Sequence, residues 1–214
     1  TFEFPHLLKL VNENQFDTIY HEHFSYLSLT ALEAIFKENG LQIFDVEEHT
    51  THGGSLRLFA QRSDTGVQIV SEQVIKLRKR EMDAGMNSDN FYKNFQEKAN
   101  IVKDDLLNFL IKAKQDGKKV VAYGAAAKGN TLLNYAGIRP DLLSYVVDKS
   151  PSKQGKYMPG SRIPIHTEQF LKNDKPDYVL ILPWNLKNEV IKQLSYIQVN
   201  GGNFVVAVPK LEII

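Results

Sequence analysis

The chain has 214 residues, of which 43% are hydrophobic, enough for one large or two small domains with a real core. Its 26 basic and 25 acidic residues almost cancel, so no overall field favours nucleic acid or an anionic membrane as a partner. Cysteine is absent, which excludes disulfides, thiolate zinc sites and cysteine nucleophiles and favours the reducing cytoplasm. No apolar run is long enough to span a bilayer.

Residues 1–66 are predicted to run strand, loop, helix, strand, strand. Pro5 ends the first strand, and because that strand starts the chain without a Met, we expect a fragment of a longer protein. Ser28 or Thr30 can cap the helix, and Gly40 lies where a left-handed residue ends one. The sequences LQIFDVEEH and SLRLFAQR, separated by a short loop, are typical of an antiparallel pair of strands.

The rest of the chain divides by composition. Residues 67–117 are charged and carry an apolar stripe at helical spacing, which predicts an amphipathic helical connector. Residues 118–214 contain short apolar runs typical of strands buried on both faces: KVVAYG, LSYVVD, IPI, DYVLILPW and NFVVAVP. They predict a parallel sheet wrapped by helices, with ligands at the carboxyl ends of its strands.

A glycine turn follows the first of these strands. In YGAAAKGN, Gly124, Ala126 and Gly129 occupy the three positions of a G-x-G-x-x-G turn, but the methyl group of Ala126 hinders the close approach of a dinucleotide. Asp148 ends the next strand, where such folds carry a ribose-binding acid, and Lys128 adds a cation at the helix start. The turn predicts a nucleotide diphosphate site, a dinucleotide site or a tight turn without a ligand.

A loop rich in glycine and proline follows Asp148. It supplies four cations that could close over a phosphate or simply remain solvated: Lys149, Lys153, Lys156 and Arg162. The residue types alone leave these two interpretations open.

The sequence YHEHFSY, residues 20–26, concentrates imidazole, carboxylate and phenol groups, and four interpretations compete: a metal site, a general-base site, a nucleophile relay and a polar cluster without function. The H-E-x-x-H spacing of helical metal sites is missing. Histidine is a natural proton acceptor at neutral pH, a carboxylate can orient it, and a tyrosine hydroxyl can donate to a developing oxyanion. In an extended chain Tyr20 and Glu22 would share a face.

Five segments together resemble the SAM-dependent sugar C-methyltransferases of deoxysugar biosynthesis: FDTIYHEHFSYLSLTALEAIF, HGGSLRLF, VAYGAAAKGNTLLNY, VVDKSPSKQGKYMPGSRIPI and PDYVLILPWNL. The resemblance implies an α/β fold class with three parts. Residues 1–66 would be the C-terminal part of a class I methyltransferase domain, 67–117 a helical connector, and 118–214 a Rossmann-like domain that helps to hold a nucleotide sugar. It also implies that S-adenosylmethionine is bound mainly by a domain missing from this chain, and zinc by a missing N-terminal module.

The resemblance also implies a reaction and its residues. Removing the C3 hydrogen of a nucleotide-linked 4-keto-6-deoxysugar gives an enolate that attacks the methyl group of S-adenosylmethionine. The Tyr-x-Glu-His motif maps onto this sequence with His23 as the base, while Tyr20 and Glu22 either position the substrate or shape the charge around it. The HGGSLR motif implies substrate contacts by Gly53, Gly54, Ser55 and Arg57. The nucleotide diphosphate is expected to contact Gly124, Lys128, Asn130 and Asp148.

Two other functions remain open at this point. One is a non-catalytic module that binds nucleotide sugars, and the other is an NAD-dependent oxidoreductase built on the glycine turn. Whichever holds, the expected partner is a small nucleotide-linked ligand, with no nucleic acid, membrane or metal ion bound by the chain. The chain alone is expected to be inactive as an enzyme.

Overall fold

The computed structural model describes all 214 residues, and their packing divides the chain into two compact units. The N-terminal unit comprises Thr1–Phe16 and Glu22–Glu97, and the C-terminal unit comprises Asp17–His21 and Lys98–Ile214. The short segment Asp17–His21 therefore packs with the C-terminal unit, although the residues on both sides of it belong to the N-terminal unit.

The N-terminal unit contains an antiparallel sheet and four helices. Its strands, in the spatial order β1-β3-β2, are β1 (Phe2–Pro5), β2 (Leu41–His49) and β3 (Ser55–Arg62). Its helices are α1 (Leu7–Asn12), α2 (Leu29–Glu38), α3 (Glu72–Asp83) and α4 (Asp89–Tyr92). The predicted antiparallel pairing of β2 with β3 is confirmed. The apolar faces of α2 and α3 pack against the sheet, and Leu32, Leu58 and Leu77 are buried together there.

Two side chains fix the start of α2. Ser28 is its N-cap, and the Ser28 hydroxyl accepts a hydrogen bond from the Ala31 amide at 3.1 Å, which confirms one of the two predicted caps. The buried carboxylate of Glu81, from α3, accepts hydrogen bonds of 2.8 Å from the Leu29 and Thr30 amides and one of 2.6 Å from the Thr30 hydroxyl. A carboxylate at this end of a helix also matches the helix dipole, so α3 holds α2 in place.

Replacing Glu81 by alanine is expected to lower the free energy of unfolding by about 3 kcal/mol. The change leaves one buried amide, that of Leu29, and one partly buried amide, that of Thr30, without an acceptor, and it removes a negative charge from a helix N-terminus. Urea unfolding followed by circular dichroism measures this loss. Glu72→Ala is the control on the same helix, because exposed Glu72 forms an ion pair with Lys76 and lies in the first turn of α3, so its loss should lower stability by only about 1 kcal/mol or less. Equal losses in the two variants would contradict the capping role of Glu81.

The C-terminal unit is a six-stranded sheet with helices between its strands. The strands are β4 (Val120–Tyr123), β5 (Val146–Val147), β6 (Ile165–His166), β7 (Tyr178–Ile181), β8 (Asn203–Val206) and β9 (Glu212–Ile213). The helices are α5 (Phe95–Gln115), whose first residues belong to the N-terminal unit, α6 (Ala127–Tyr135), α7 (Glu168–Asp174), α8 (Lys187–Gln193) and α9 (Tyr196–Val199). Single 3-10 turns occur in both units, at Phe16–Thr18, Thr51–Gly53 and Trp184–Leu186.

The strand order of this sheet is β6-β5-β4-β7-β8-β9. All neighbours are parallel except β8 and β9, so the predicted parallel sheet is confirmed and a short antiparallel edge strand is added to it. The chain moves outward from β4 in one direction to β6 and then in the other from β7, so the order reverses between β4 and β7. In open α/β sheets ligands bind at such a switch point, beyond the carboxyl ends of the strands.

The helical region differs in detail from its prediction. The helix expected from residue 67 begins at Glu72, because Ser71 caps it: the Ser71 hydroxyl accepts a hydrogen bond from the Val74 amide. The rest of the predicted helical connector contains two helices, α4 and α5. No helix of the chain is long and apolar enough to cross a membrane. The division of the chain at residues 66 and 117 stays a prediction.

Candidate functional site

The YHEH stretch lies in irregular structure between a 3-10 turn and α2. Tyr20 and His21 pack with the C-terminal unit, whereas Glu22 and His23 belong to the N-terminal unit. The chain turns at residues 21 and 22 and is not extended there, so the expected alternation of side chains along a strand does not apply. The four side chains of the motif are therefore divided between the two units.

Within this stretch, the His23 ring is half-buried and lies edge-on to the Tyr26 ring, with centroids 6.5 Å apart. It is not enclosed in packed hydrocarbon. Across the chain, no group of three or more His, Asp or Glu residues is arranged to hold a metal ion. The partly exposed ring of His23 is therefore accessible to a ligand.

A cavity of about 380 Å³ opens beside the glycine turn of the C-terminal unit. Its walls come from the motif, from the turn and start of α6, and from the loop before β6: Tyr20, His21, Ala125, Ala126, Ala127, Asn130, Thr131, Ser152, Lys153, Lys156, Tyr157, Met158, Pro159 and Ile165. All of these residues belong to one unit. The cavity lies at the carboxyl end of β4, where the sheet topology predicts a ligand.

The glycines of the turn act through close packing. Gly124 has a φ of 94°, and a Cβ added there would lie 2.5 Å from Cδ of Pro183, which follows β7. A Cβ at Gly129 would lie 2.7 Å from Leu182, so this glycine lets α6 approach the sheet. The middle position, Ala126, has ordinary extended backbone angles, and its methyl group faces the cavity. The turn is therefore fixed by packing, while its middle residue contributes to the wall.

Asp148 holds the turn from the end of β5. One carboxylate oxygen of Asp148 accepts a hydrogen bond from the Ala125 amide and the other from the Ser150 amide, both at 2.8 Å. The ammonium group of Lys153 donates to the Ala125 carbonyl at 2.8 Å and lies 3.4 Å from the Asp148 carboxylate. Lys153 is thus fixed at the cavity wall with part of its charge exposed.

Lys128 lies behind the turn, although it occupies the first turn of α6. Its side chain is buried, with the ammonium nitrogen 4.4 Å from the centroid of the Trp184 ring and 3.1 Å from the Asn185 side-chain oxygen, to which it donates. Burial lowers the pKa of Lys128, and the negative charge of Asp17 opposes this shift. Lys128 is therefore paired inside the unit and does not line the cavity.

Asp17 is the acid of this buried cluster. Its carboxylate is completely buried, and one oxygen accepts a hydrogen bond of 2.7 Å from the Trp184 indole nitrogen. The other oxygen has no hydrogen-bond partner. Burial raises the pKa of Asp17 to about 6, while the hydrogen bond from Trp184 and the charge of Lys128 both oppose the rise.

The HGGSLR segment forms the hairpin between β2 and β3 in the N-terminal unit. The Arg57 guanidinium pairs with Glu3 at 2.9 Å and with Glu47 at 3.3 Å, and the Ser55 hydroxyl donates to Glu3 at 2.9 Å. These bonds connect the three strands on one face of the sheet, so the side chains of Ser55 and Arg57 stabilise the sheet. The two glycines lie close to α1 and the residues after it. The Gly53 carbonyl accepts a hydrogen bond from the Gln15 side chain at 2.8 Å, and Gly54 packs so closely on Lys9 that an added Cβ would lie 2.6 Å from the Lys9 side chain.

Comparison with known proteins decides the family. Residues 50–209, well over half of the chain, match the C-methyltransferase C-terminal domain family. The chain is also 36% identical over 212 residues to the C-methyltransferase NovU of Streptomyces niveus, in an alignment that covers 99% of this chain and 50% of that protein. The chain belongs to the C-methyltransferase C-terminal domain family. It spans about half the length of the curated relative that it matches, and the predicted resemblance to C-methyltransferases is confirmed.

Only some of the predicted site residues of this C-methyltransferase domain meet at the cavity. Tyr20 and Asn130 line it, whereas Gly124, Lys128 and Asp148 build the structure behind it. The other predicted residues lie in the N-terminal unit: Glu22, His23, Gly53, Gly54, Ser55 and Arg57. Whether any of these residues contacts a substrate stays a prediction.

Sequence reasoning missed Asp17 and Trp184 and left the lysine loop undecided. Of the four loop cations, Lys153 and Lys156 line the cavity, and Lys149 and Arg162 do not. Spacing alone could not separate these pairs, because the loop has no regular period. The one available signal for Asp17 was a charged residue directly after Phe16, in a 3-10 turn whose three residues are all buried.

Proposed function

We propose that this chain is the C-terminal portion of an S-adenosylmethionine-dependent enzyme that methylates a carbon of a nucleotide-linked 4-keto-deoxysugar. Membership of the C-methyltransferase family supports the reaction class. The observation that carries the choice of substrate is that the first two residues of the YHEH motif line the same cavity as the glycine turn and two lysines. A reacting ketone and an anionic nucleotide tail would each find suitable groups there.

The lysines and the turn suit the anionic part of such a substrate. Lys153 and Lys156 bring two positive charges to the cavity wall, and Ala127 is the first residue of α6, whose amino end favours anions. The exposed Tyr157 offers an aromatic surface in the same cavity. We propose that the nucleotide diphosphate occupies this part of the cavity.

The YHEH motif suits the reacting part. A hydrogen on a carbon next to a ketone is acidic enough for an imidazole to remove when the developing oxyanion is stabilised. We assign that base to His23, and substrate positioning to Tyr20 and Glu22.

The methyl donor that the family implies supplies an electrophilic methyl group when it is bound. The glycine turn of this chain fits that molecule poorly, because Ala126 replaces the middle glycine and each carboxylate oxygen of Asp148, the acid in the ribose-binding position, already accepts a backbone amide. We therefore propose that other parts of the whole protein bind S-adenosylmethionine and, in a separate module, zinc. The strand, helix and antiparallel hairpin of the N-terminal unit support its assignment to the end of a class I methyltransferase domain, with residues 67–117 as the connector and 118–214 as the Rossmann-like domain.

Ligand titration tests the proposal against its alternatives. TDP and a TDP-linked 4-keto-6-deoxysugar are expected to bind the chain and to shift the NMR signals of residues 153–157, whereas NAD is expected to leave them unchanged. Binding of NAD without binding of TDP would favour an oxidoreductase domain. Binding of TDP-sugar by a full-length protein that transfers no methyl group would favour a non-catalytic module.

A further inference from the structure

We propose that Asp17 is a positioning residue, whose buried carboxylate holds the segment Asp17–His21 on the C-terminal unit and thereby places Tyr20 at the cavity. This inference rests on the proposed function, because it concerns the same site. Asp17 is not part of the Tyr-x-Glu-His motif. The inference also assigns a function to the buried cluster that Asp17 forms with Lys128 and Trp184.

Asp17 forms a hydrogen bond on one side of the switch point and interacts with a charge on the other. Trp184, which donates to its carboxylate at 2.7 Å, lies just beyond β7, and Lys128, whose charge acts on it, lies on the helix after β4. The Lys128 ammonium in turn contacts the Trp184 ring and Asn185. The segment that carries Tyr20 is therefore anchored by a hydrogen bond to the residues just beyond β7, and Lys128, from the helix after β4, packs on the same Trp184 ring.

Stability alone is a poor reason for this arrangement. A buried carboxylate loses its hydration, and one oxygen of Asp17 recovers no hydrogen bond in exchange. Buried ion pairs are often no more stable than apolar side chains of similar volume. The cluster of Asp17, Lys128 and Trp184 therefore costs stability, but it holds the backbone at Asp17 in one geometry. Tyr20 follows only three residues later, so the same geometry fixes the position of its side chain.

A double-mutant cycle in the full-length protein tests the inference. Asp17→Asn keeps the size of the side chain and an acceptor for Trp184 but removes the charge that Lys128 faces. We expect it to lower kcat about 30-fold with little change in KM, because a misplaced group costs turnover more than binding. In a Tyr20→Phe background the same change should cost less than about 3-fold, since the group that Asp17 positions is already absent. Equal losses in both backgrounds would overturn the proposal.

Two further variants keep the cycle decisive. Asp141→Asn removes an exposed carboxylate of the same unit, which pairs only with Lys114, and should leave kcat unchanged. If Asp17→Asn does not fold, Trp184→Phe removes the same hydrogen bond from the other side while it keeps a ring below Lys128. That variant should show the same dependence on Tyr20, and equal losses with and without the Tyr20 hydroxyl would again reject the role.

Hydrogen exchange separates this inference from the proposed function. If the wild-type protein methylates no nucleotide-linked keto sugar, the proposed function fails, but the anchoring of the segment can still be measured. Asp17→Asn should then raise the exchange rates of the amides of residues 18–21 at least about tenfold, and Asp141→Asn should not change them. Unchanged rates in Asp17→Asn would overturn the anchoring role.

Discussion

Replacing His23 by asparagine is expected to reduce methyl transfer by the full-length protein about a thousandfold or more, while S-adenosylmethionine still binds. Asparagine keeps a polar group of similar reach but cannot accept a proton, and losing a general base typically costs two to four orders of magnitude (about 10² to 10⁴). The half-buried, edge-on placement of the ring leaves it accessible to a ligand. Steady-state turnover with the TDP-linked keto sugar measures the loss, and calorimetry measures donor binding.

Deuterium exchange identifies the step that is lost. In D2O without the methyl donor, the wild-type protein should exchange the hydrogen on the carbon next to the ketone, and His23→Asn should not. His166→Asn is the matched control, because His166 is stacked on Phe170 and does not line the cavity. Exchange at the wild-type rate in His23→Asn would assign the base to another residue.

The sheet of the C-terminal unit was predictable because its strands are buried on both faces. Such strands form short continuous apolar runs, and β4, β5, β7 and β8 all lie within the predicted ones. The edge strand β9 has two exposed residues and therefore no comparable pattern. The start of α3 was placed too early because Val67 and Ile69 continue its apolar spacing, although both are exposed in the irregular segment before it.

The candidate site was less predictable because side-chain direction depends on packing that spacing does not reveal. Lys128 occupies the position from which a cation usually faces a phosphate, yet its side chain runs inward to Trp184 and Asn185. Trp184 lies 56 residues along the chain from Lys128, so no local pattern connects them. The motif itself was found from its residue types, but its division between two units was not, because that division is a property of the whole fold.

Replacing Lys153 by methionine is expected to weaken the binding of TDP by about 10- to 100-fold. The change removes a fixed ammonium group from the cavity wall, and a charge-assisted hydrogen bond is worth about 1.5–3 kcal/mol. Methionine keeps most of the aliphatic stem, so the wall should remain closed. Isothermal titration with TDP measures the loss.

Lys153 has two effects, the charge that it brings to the cavity and the hydrogen bond by which it supports the turn, and two further variants separate them. Lys156→Met removes the second cation of the wall without breaking the bond to the Ala125 carbonyl, so it should weaken TDP binding while the thermal midpoint stays close to that of the wild type. Lys149→Met removes an exposed cation of the same loop that does not line the cavity and should leave the affinity unchanged. Because the attraction between Lys156 and the diphosphate is electrostatic, the difference in TDP affinity between wild type and Lys156→Met should become smaller as the salt concentration is raised. Affinities that are equal in all three lysine variants would place the diphosphate elsewhere.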